Sequence, residues 1–267
     1  MEITSSNIGE IVRPAEILLI IAIVVLYSFV AYQRNFIWKD DYNLWSDCVE
    51  KSSEKARPHN NLGVACNDMG MFDKAIKEIN KAIDLKPSFV NAYVSLGNAY
   101  LNKGLFDIAI KEYRNALRLK NDYAEVYVNI GNTYIKKGLI ERAIESYSKA
   151  LALKPDSVRA RLNIASAYGL KGFAEKALIE YKALAELQPD NPDIYYNMGI
   201  AYERLAKSKE QRAERRGQGV MCQEQRWLIE QAVNEYKKAL KFNPDDFQAR
   251  GNIERIRKWS REQGAID

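Results

Sequence analysis

Asparagines recur along this sequence at a constant spacing, and their side chains could bind another chain. Asn129, Asn163 and Asn197 stand 34 residues apart. A carboxamide both donates and accepts hydrogen bonds, so a row of them can bind the backbone of an extended peptide whatever the peptide's side chains. The candidate binding residues are Asn61, Ser95, Asn98, Asn129, Asn132, Asn163 and Asn197. This pattern predicts recognition rather than catalysis.

Residues that could catalyse a reaction or hold a metal are sparse. The one histidine, His59, occupies a column that holds tyrosine in other repeats, which favours a packing role. The sequence has no GxSxG, P-loop, dinucleotide-binding glycine motif or HExxH. Three scattered cysteines, Cys48, Cys66 and Cys222, form neither a CxxC pair nor a disulfide framework. We therefore expect no enzyme, no cofactor, no metal and no small-molecule substrate.

The charge balance argues against a nucleic-acid partner. The net charge of +5 is small beside 40 basic and 35 acidic residues. Nucleic-acid-binding proteins usually concentrate their basic residues in a stripe.

A 34-residue pattern written four times over residues 56–189 organises the chain. Two of its columns, each with a step of 34, read Gly63, Gly97, Gly131 and Ala165, and then Ala75, Ala109, Ala143 and Ala177. Repetition at this period is typical of a solenoid, because one unit cannot bury its apolar face alone and must stack on its neighbours.

Each unit is predicted to form two helices. With the first residue of a unit counted as position 1, side chains at positions 4, 7, 8 and 11 form one face of helix A. Glycine at position 15, such as Gly138, ends helix A because glycine enters the left-handed conformation without penalty. Helix B has alanine at position 20 and an aromatic residue or isoleucine at position 24, and proline at position 32 stops it. Small residues at positions 8 and 20 let the paired helices approach closely.

These columns resemble the tetratricopeptide repeat. The resemblance rests on Leu96-Gly97 with Tyr100, on Ala109 with Tyr113, and on the proline that follows, as at Pro155. It covers about residues 40–264. It implies an all-α fold, a right-handed superhelical α-solenoid of helix-turn-helix repeats, which binds other proteins or extended peptides.

In arrays of this family the concave groove is lined by positions 2, 5, 6, 9 and 12 of helix A. The resemblance therefore implies that the seven candidate residues line a groove, and their row resembles the asparagine ladder of the O-linked N-acetylglucosamine transferase repeat region. The alternative is that these asparagines serve helix packing. Position 5 lacks lysine and arginine, which argues against a dicarboxylate clamp for acidic C-termini. Its residues are Asn60, Val94, Val128, Leu162 and Tyr196.

The predicted organisation has a short polar N-terminus over residues 1–16, a transmembrane helix over residues 17–37, and the second helix of an incomplete repeat over residues 39–55. The five repeats are predicted at residues 56–89, 90–123, 124–157, 158–191 and 192–246. A C-terminal capping helix is expected over residues 247–267, since Phe247, Ile253, Ile256 and Trp259 lie on one side of it.

Residues 17–32 contain no charge and almost no polar side chain. A helix of this length spans about 24 Å, and extension to Trp38 with Arg34 snorkelling would bring it to the roughly 30 Å of a hydrocarbon core. This predicts a single-pass membrane anchor. A buried core helix is the first alternative, although no side of the segment is polar. A cleaved signal peptide is the second, although the preceding region is long and acidic and no small-x-small site follows.

The side of the membrane that the repeats face is left open. Arg13 precedes the span, whereas Arg34, Lys39 and Lys51 follow it, so the positive-inside rule favours the cytoplasm. The junction at Arg34-Asn35, Trp38 and Leu44-Trp45 instead resembles the tail of multi-span glycosyltransferase-like membrane proteins, whose repeats lie outside the cytoplasm. Two functions follow as hypotheses. One is a membrane-tethered scaffold, and the other is an accessory subunit or shortened relative of an extracytoplasmic protein-glycosylation or envelope-assembly complex.

An insertion near residues 206–227 interrupts the fifth repeat. Thirty-three residues separate Gly199 from Ala232, where the other repeats have 12. The segment is interpreted either as two lengthened helices that meet at Gly217 and Gly219 or as a solvated loop. Its basic residues could contact a partner or an acidic membrane surface, but Glu210 and Glu214 interrupt that face, which favours the loop. The basic residues are Lys207, Lys209, Arg212, Arg215 and Arg216.

Overall fold

A computed structural model describes residues 14–215 and 223–262, which form thirteen α-helices and no β-strand. The helices are α1 (Pro14–Ile37), α2 (Asp41–Lys51), α3 (Ala56–Asp68), α4 (Phe72–Leu85), α5 (Val90–Asn102), α6 (Phe106–Leu119), α7 (Ala124–Lys136), α8 (Ile140–Leu153), α9 (Val158–Leu170), α10 (Ala174–Leu187), α11 (Pro192–Arg215), α12 (Gln223–Phe242) and α13 (Phe247–Glu262). The predicted all-α fold class is confirmed. Most of the expected polar N-terminus, the Gly217 and Gly219 turn, and the end of the expected cap lie outside the described residues.

The helices belong to two compact units, residues 1–95 and 96–267. In the first unit α2 packs on α3 and α3 packs on α4. In the second unit every helix from α6 to α13 packs on the next one along the chain, and α7 also contacts α9. Each unit is thus built from consecutive helical hairpins, in which a neighbour covers the face that one hairpin leaves open.

Glycine ends helix A as predicted. Gly138 has a φ of 75°, and the glycines at position 15 of the other three complete repeats have φ values up to 84°. Helix B ends at position 30 in each of these repeats. It ends there even in α6, where Asn121 replaces the proline, so proline is not required to stop this helix.

The small residue at position 8 marks the closest approach of helix A to helix B. A Cβ atom on Gly131 would lie 2.4 Å from Cε1 of Tyr147, and one on Gly97 would lie 2.5 Å from Cε1 of Tyr113. Both tyrosine side chains are buried. Because glycine has no side chain, the tyrosine ring can pack directly against its backbone. The ring then fills the space between the two helices.

In repeats 4 and 5 the side chain at position 4 contacts the end of the repeat before it. Arg161 donates to Oε2 of Glu180 at 2.9 Å and to the carbonyl oxygen of Pro155 at 2.8 Å. One repeat later, Tyr195 Oη donates to the carbonyl oxygen of Pro189 at 2.7 Å. These position 4 contacts satisfy a carbonyl group beyond the end of helix B that has no partner within the helix.

His59 makes the same contact in the first unit. Its Nδ1 lies 2.8 Å from Oε2 of Glu78, and its Nε2 lies 2.9 Å from the carbonyl oxygen of Ser53. The ring is 6% exposed. This environment agrees with the packing role expected for the histidine.

The insertion is helical over its described part, because α11 extends to Arg215 and α12 begins at Gln223. Tyr202 and Trp227 pack edge to face with ring centroids 6.0 Å apart, and Gln225 and Leu228 are buried. The expectation of a solvated loop is wrong for these residues, because apolar contacts between the two lengthened helices outweigh the solvation of their charges.

Helix α1 is apolar and exposed. The stretch Ile17–Asn35 is long and apolar enough to cross a membrane by length and composition, and none of it is buried. The full helix of 24 residues would span about 36 Å. The exposure argues against the core-helix alternative. In α2, which follows, Trp45 is half-buried.

Candidate peptide-binding surface

The seven candidate residues lie in both units, and each side chain is half-buried. Asn61 and Ser95 belong to the first unit, where Asn61 Oδ1 accepts a hydrogen bond from Asn60 Nδ2 at 3.2 Å. Asn98, Asn129, Asn132, Asn163 and Asn197 belong to the second unit. We call the exposed side of α7, α9 and α11 that bears Asn129, Asn163 and Asn197 the helix A face.

Two carboxamides of neighbouring repeats contact each other directly on the helix A face. Asn163 Nδ2 donates to Asn132 Oδ1 at 2.9 Å. The same oxygen accepts from Tyr147 Oη at 2.7 Å, and Asn98 Oδ1 accepts from Tyr113 Oη at 2.6 Å. The asparagines at position 9 therefore fix the tyrosine hydroxyl groups of helix B.

Burial raises the pKa of Tyr147 to about 12. Burial likewise raises the pKa of Tyr113, and a hydrogen bond to Thr133 offsets part of that effect. Both hydroxyl groups therefore stay protonated near neutral pH and remain donors to the asparagines. Sequence reasoning missed this partnership, although the shared step of 34 in both columns was a signal for it.

The asparagines at position 6 keep hydrogen-bonding groups for a ligand. Asn129 Oδ1 accepts from the exposed guanidinium of Arg159 at 3.3 Å, and Asn197 Nδ2 donates to the carbonyl oxygen of Asp193 at 2.8 Å. Among the described residues, nothing accepts from Asn129 Nδ2, and nothing donates to Oδ1 of Asn163 or Asn197. These three groups are donors and acceptors of the kind that a peptide backbone pairs with.

A pocket of about 250 Å³ opens between α9, α10 and α11, beside this row. Repeat 4 has Ser166 and Gly169 at positions 9 and 12, where repeat 3 has the larger Asn132 and Ile135. The walls are formed by Ser166, Gly169, Leu170, Ala174, Ala177, Tyr181, Asn197, Ile200, Ala201 and Arg204. Their mixture of aliphatic and polar groups suits one side chain of a bound peptide.

Arg204 and Leu170 form the accessible part of this pocket. Arg204 donates to the carbonyl oxygen of Gly169 at 2.7 Å, which orients the guanidinium, while Leu170 is 63% exposed. Neither residue belongs to the row of asparagines that the sequence pattern indicates. The signal available was the departure from the repeat pattern at positions 9 and 12.

The row of asparagines continues in α13. This helix repeats the helix A pattern, with Ala249, Ile253 and Ile256 buried at positions 3, 7 and 10. Asn252 falls at position 6 and donates to Tyr196 Oη at 3.4 Å. Its place in the row was not evident from the sequence, because the insertion in repeat 5 makes the separation between Asn197 and Asn252 longer than 34 residues.

A buried ion pair lies next to Asn252. Glu203 accepts a hydrogen bond from Arg255 Nη2 at 3.0 Å and forms a salt bridge with Lys207 Nζ at 2.8 Å. Burial works to raise the pKa of the Glu203 carboxyl, but hydrogen bonds from Arg255 and Lys207 outweigh it and lower the pKa. Glu203 therefore stays ionised at neutral pH and holds α13 to α11.

Metal ligation finds no support in the described residues, among which no group of three or more His, Cys, Asp or Glu side chains could hold a metal ion. Cys48 and Cys66 are free thiols, and Cys222 lies outside the described residues. The chemistry of the helix A face is hydrogen bonding and side-chain packing.

Curated proteins that resemble the chain include two animal transferases. The Drosophila melanogaster "Protein O-mannosyl-transferase Tmtc3" is 27% identical over 78 residues, which is 29% of this chain and 8% of that protein. The human "Protein O-mannosyl-transferase TMTC3" is 24% identical over 75 residues, 28% of this chain and 8% of that protein. The chain thus spans about 8% of the length of these relatives.

Solved structures resemble a larger part of the chain. One is YrrB, described as "a TPR protein with an unusual peptide-binding site", with a TM-score of 0.54 and 23% identity; the match covers 77% of this chain and 95% of YrrB. Another is the MamA protein, with a TM-score of 0.56 and 23% identity; the match covers 73% of this chain and 96% of MamA. At these identities the likeness shows the fold.

A sequence model of the family described as "TPR repeat" matches residues 63–104, 102–138, 131–172 and 173–205. These stretches together cover residues 63–205, more than half of the 267 residues. The match agrees with the left-handed glycines, the close approach of glycine to tyrosine and the consecutive helical hairpins. The chain is therefore a member of the tetratricopeptide repeat family.

Proposed function

We propose that this protein is a membrane-anchored scaffold that binds an extended peptide, or an extended segment of another protein, on its helix A face. The observation that carries the proposal is the row formed by Asn129 Nδ2, Asn163 Oδ1 and Asn197 Oδ1, three amide atoms that have no partner among the described residues and lie beside the pocket next to Arg204. A peptide backbone that crosses α7, α9 and α11 would pair with these groups. One of its side chains would enter the pocket between Leu170 and Ile200.

Two further findings support this proposal. The tyrosine hydroxyl groups and Asn132 are already fixed by mutual hydrogen bonds, so binding requires little ordering of the surface, which lowers the entropic cost. Proteins of this family bind other proteins or peptides, and the similar YrrB structure is described as having a peptide-binding site.

We expect that replacing Asn129 and Asn163 together by alanine weakens peptide binding about tenfold, because two hydrogen bonds to the peptide backbone are lost. Peptides are first selected from a random display library on the full chain in an uncharged detergent. Their affinities for the two proteins are then measured by fluorescence anisotropy. The melting temperature should fall only slightly, since the two substitutions remove one hydrogen bond each, to Arg159 and to Asn132, from half-buried positions.

A matched control removes two asparagines elsewhere. Asn121 and Asn234 are exposed and lie off the helix A face, so replacing both by alanine should leave the affinity unchanged. Equal affinities for the unaltered chain and the Asn129→Ala, Asn163→Ala variant would contradict the proposed binding surface.

The anchor in this proposal is α1, and its removal provides a separate test. We expect the full chain to stay with membranes during an alkaline carbonate wash, because the exposed apolar side chains of residues 17–35 are solvated by lipid. A chain without residues 1–38 should be recovered in the soluble fraction with its helical circular dichroism spectrum retained. Release of the full chain by carbonate, or a shortened chain that stays with membranes, would exclude anchoring by α1.

The similarity to the O-mannosyl-transferases favours a second candidate function. The chain would act as an accessory subunit, or a shortened relative, of an extracytoplasmic protein-glycosylation or envelope-assembly complex. The supporting match covers 78 residues and 8% of the transferase. Cross-linking in native membranes separates the candidates, since a multi-span glycosyltransferase joined to the helix A face would favour the second. Protease digestion of sealed vesicles would show which side the repeats face.

A further inference from the structure

A cleft on the helix B side of repeats 2 and 3 is lined by arginine. Two adjoining pockets, of about 230 and 430 Å³, share Arg114, Tyr134 and Arg142 in their walls. The smaller pocket also includes Arg118 and Lys111. We call the two together the arginine cleft. It uses no residue of the helix A face.

Two of the arginines contact one tyrosine side chain, Arg114 at its hydroxyl group and Arg142 at its ring. Arg114 Nη2 donates to Tyr134 Oη at 3.3 Å, and the guanidinium carbon of Arg142 lies 5.9 Å from the centroid of the same ring. Arg118 follows Arg114 by one helical turn, so the two side chains lie on the same face of α6. Because Tyr134 Oη accepts from Arg114, its own proton is available for donation into the cleft.

The carboxylates in the cleft form their salt bridges with lysines and not with these arginines. Asp107 pairs with Lys137, and Glu145 pairs with Lys149 at 2.7 Å. In the described part of the chain, no carboxylate lies within salt-bridge distance of Arg114, Arg118 or Arg142. Arg114 and Arg142 contact Tyr134, and Arg118 donates to Asn115. Arg142 interacts electrostatically with Glu145 at longer range, but the lining has five basic residues and two acidic ones, so the cleft keeps a net positive charge.

Packing of the repeats does not require this composition. Arg114 and Arg118 occupy positions 25 and 29 of repeat 2, and repeat 3 has Ser148 and Ala152 at those positions. The tyrosine column continues at Tyr168 in repeat 4. The tyrosine is thus common to several repeats, whereas repeat 3 has no arginine at the positions that Arg114 and Arg118 occupy in repeat 2.

We propose that the arginine cleft binds a phosphate-class oxyanion, either inorganic phosphate or the phosphomonoester head of a lipid. Several guanidinium groups and one hydroxyl donor match a doubly charged, tetrahedral anion with three or more acceptor oxygens. A carboxylate has two oxygens and would engage only part of the cleft. The Tyr134 hydroxyl group at the base of the cleft would orient the bound anion by donating a hydrogen bond to it. A diffuse basic patch has no such donor.

The proposal is tested by isothermal titration calorimetry on the full chain in an uncharged detergent, with inorganic phosphate as the first probe and a water-soluble, short-chain phosphatidic acid as the second. Replacing Arg114 and Arg142 by glutamine should weaken binding about tenfold or more. Tyr134→Phe, which keeps the ring and both arginines, should weaken it about fivefold.

The matched control removes two positive charges from the same columns of the next repeat. Lys176 and Lys182 occupy positions 19 and 25 of repeat 4 and are exposed, and their replacement by glutamine should not alter the affinity. Equal binding of both probes supports recognition of the phosphate group itself, and binding of phosphatidic acid alone supports a lipid source. No heat with either probe, or an equal loss in the control variant, would overturn the proposal.

Discussion

Gly131→Ala is expected to lower the free energy of unfolding by about 2 kcal/mol, because one added methyl group overpacks the contact between α7 and α8. The new Cβ would lie 2.4 Å from Cε1 of Tyr147 and 2.8 Å from its Cζ. These atoms belong to a rigid ring that is 2% exposed. The hydrogen bond from Tyr147 to Asn132 prevents the ring from moving away freely. Urea denaturation followed by circular dichroism measures the change.

Two further variants make this expectation specific. Gly251 also lies within a helix, but an added Cβ there would meet no atom within 4 Å, so Gly251→Ala should stabilise the chain by up to about 1 kcal/mol through helix propensity. Repeat 4 naturally has Ala165 followed by Ser166. The Gly131→Ala, Asn132→Ser variant copies that pair, frees the ring to shift, and should recover part of the lost stability. If Gly131→Ala proves as stable as Gly251→Ala, the close contact does not limit this fold.

Glu203→Gln is expected to lower the free energy of unfolding by about 2 kcal/mol at neutral pH, because it removes the charge from hydrogen bonds to Arg255 and Lys207. Glu203 is 7% exposed, and Tyr236 Oη also donates to it at 3.4 Å. Glutamine has nearly the same shape, so packing changes little and the loss reports the charge. Urea denaturation at several pH values provides the measurement.

The pH dependence has a definite sign. Hydrogen bonds to Arg255 and Lys207 lower the pKa of Glu203 in the folded chain below its ordinary value of 4.5, so the unfolded state takes up this proton first. The stabilisation is complete above pH 4.5 and is lost as the pH falls through the folded pKa. The difference between Glu203→Gln and the unaltered chain should therefore shrink on acidification. Glu145, an exposed residue paired with Lys149, serves as control, and Glu145→Gln should leave the stability nearly unchanged at every pH.

The fold was largely predictable because its determinants are local and repeated. Glycine at position 15 is needed for a left-handed backbone conformation, and a small residue at position 8 is needed for the close approach of two helices. Because each recurs in four repeats, neither can be attributed to chance. The insertion was harder to predict because its charges indicate solvation, while the contact between Tyr202 and Trp227 forms only when the two helices meet in space. Sequence patterning shows which faces are apolar, but it does not show which distant residues cover them.

The candidate surface was predictable only in part. The asparagines at position 6 could be found from the sequence alone, since their spacing of 34 residues is visible without a three-dimensional structure. The sequence did not show that Asn132 is engaged by Tyr147 and Asn163, because hydrogen-bond partners depend on side-chain direction. The pocket at Gly169 and the arginine cleft were missed for a related reason, since each arises where one repeat departs from the common pattern.

The position 4 contacts explain how repeats can diverge while their junction persists. Arginine, tyrosine and histidine differ in size, charge and aromaticity, yet Arg161, Tyr195 and His59 each reach the main chain six residues earlier. At position 4 these three repeats need a side chain whose terminal polar group reaches that carbonyl oxygen. The identity of the side chain can differ. Phenylalanine or leucine at position 4 could still pack between the helices, but neither could donate the hydrogen bond to the carbonyl oxygen. The geometry of this junction is therefore retained in repeats whose residues at position 4 differ.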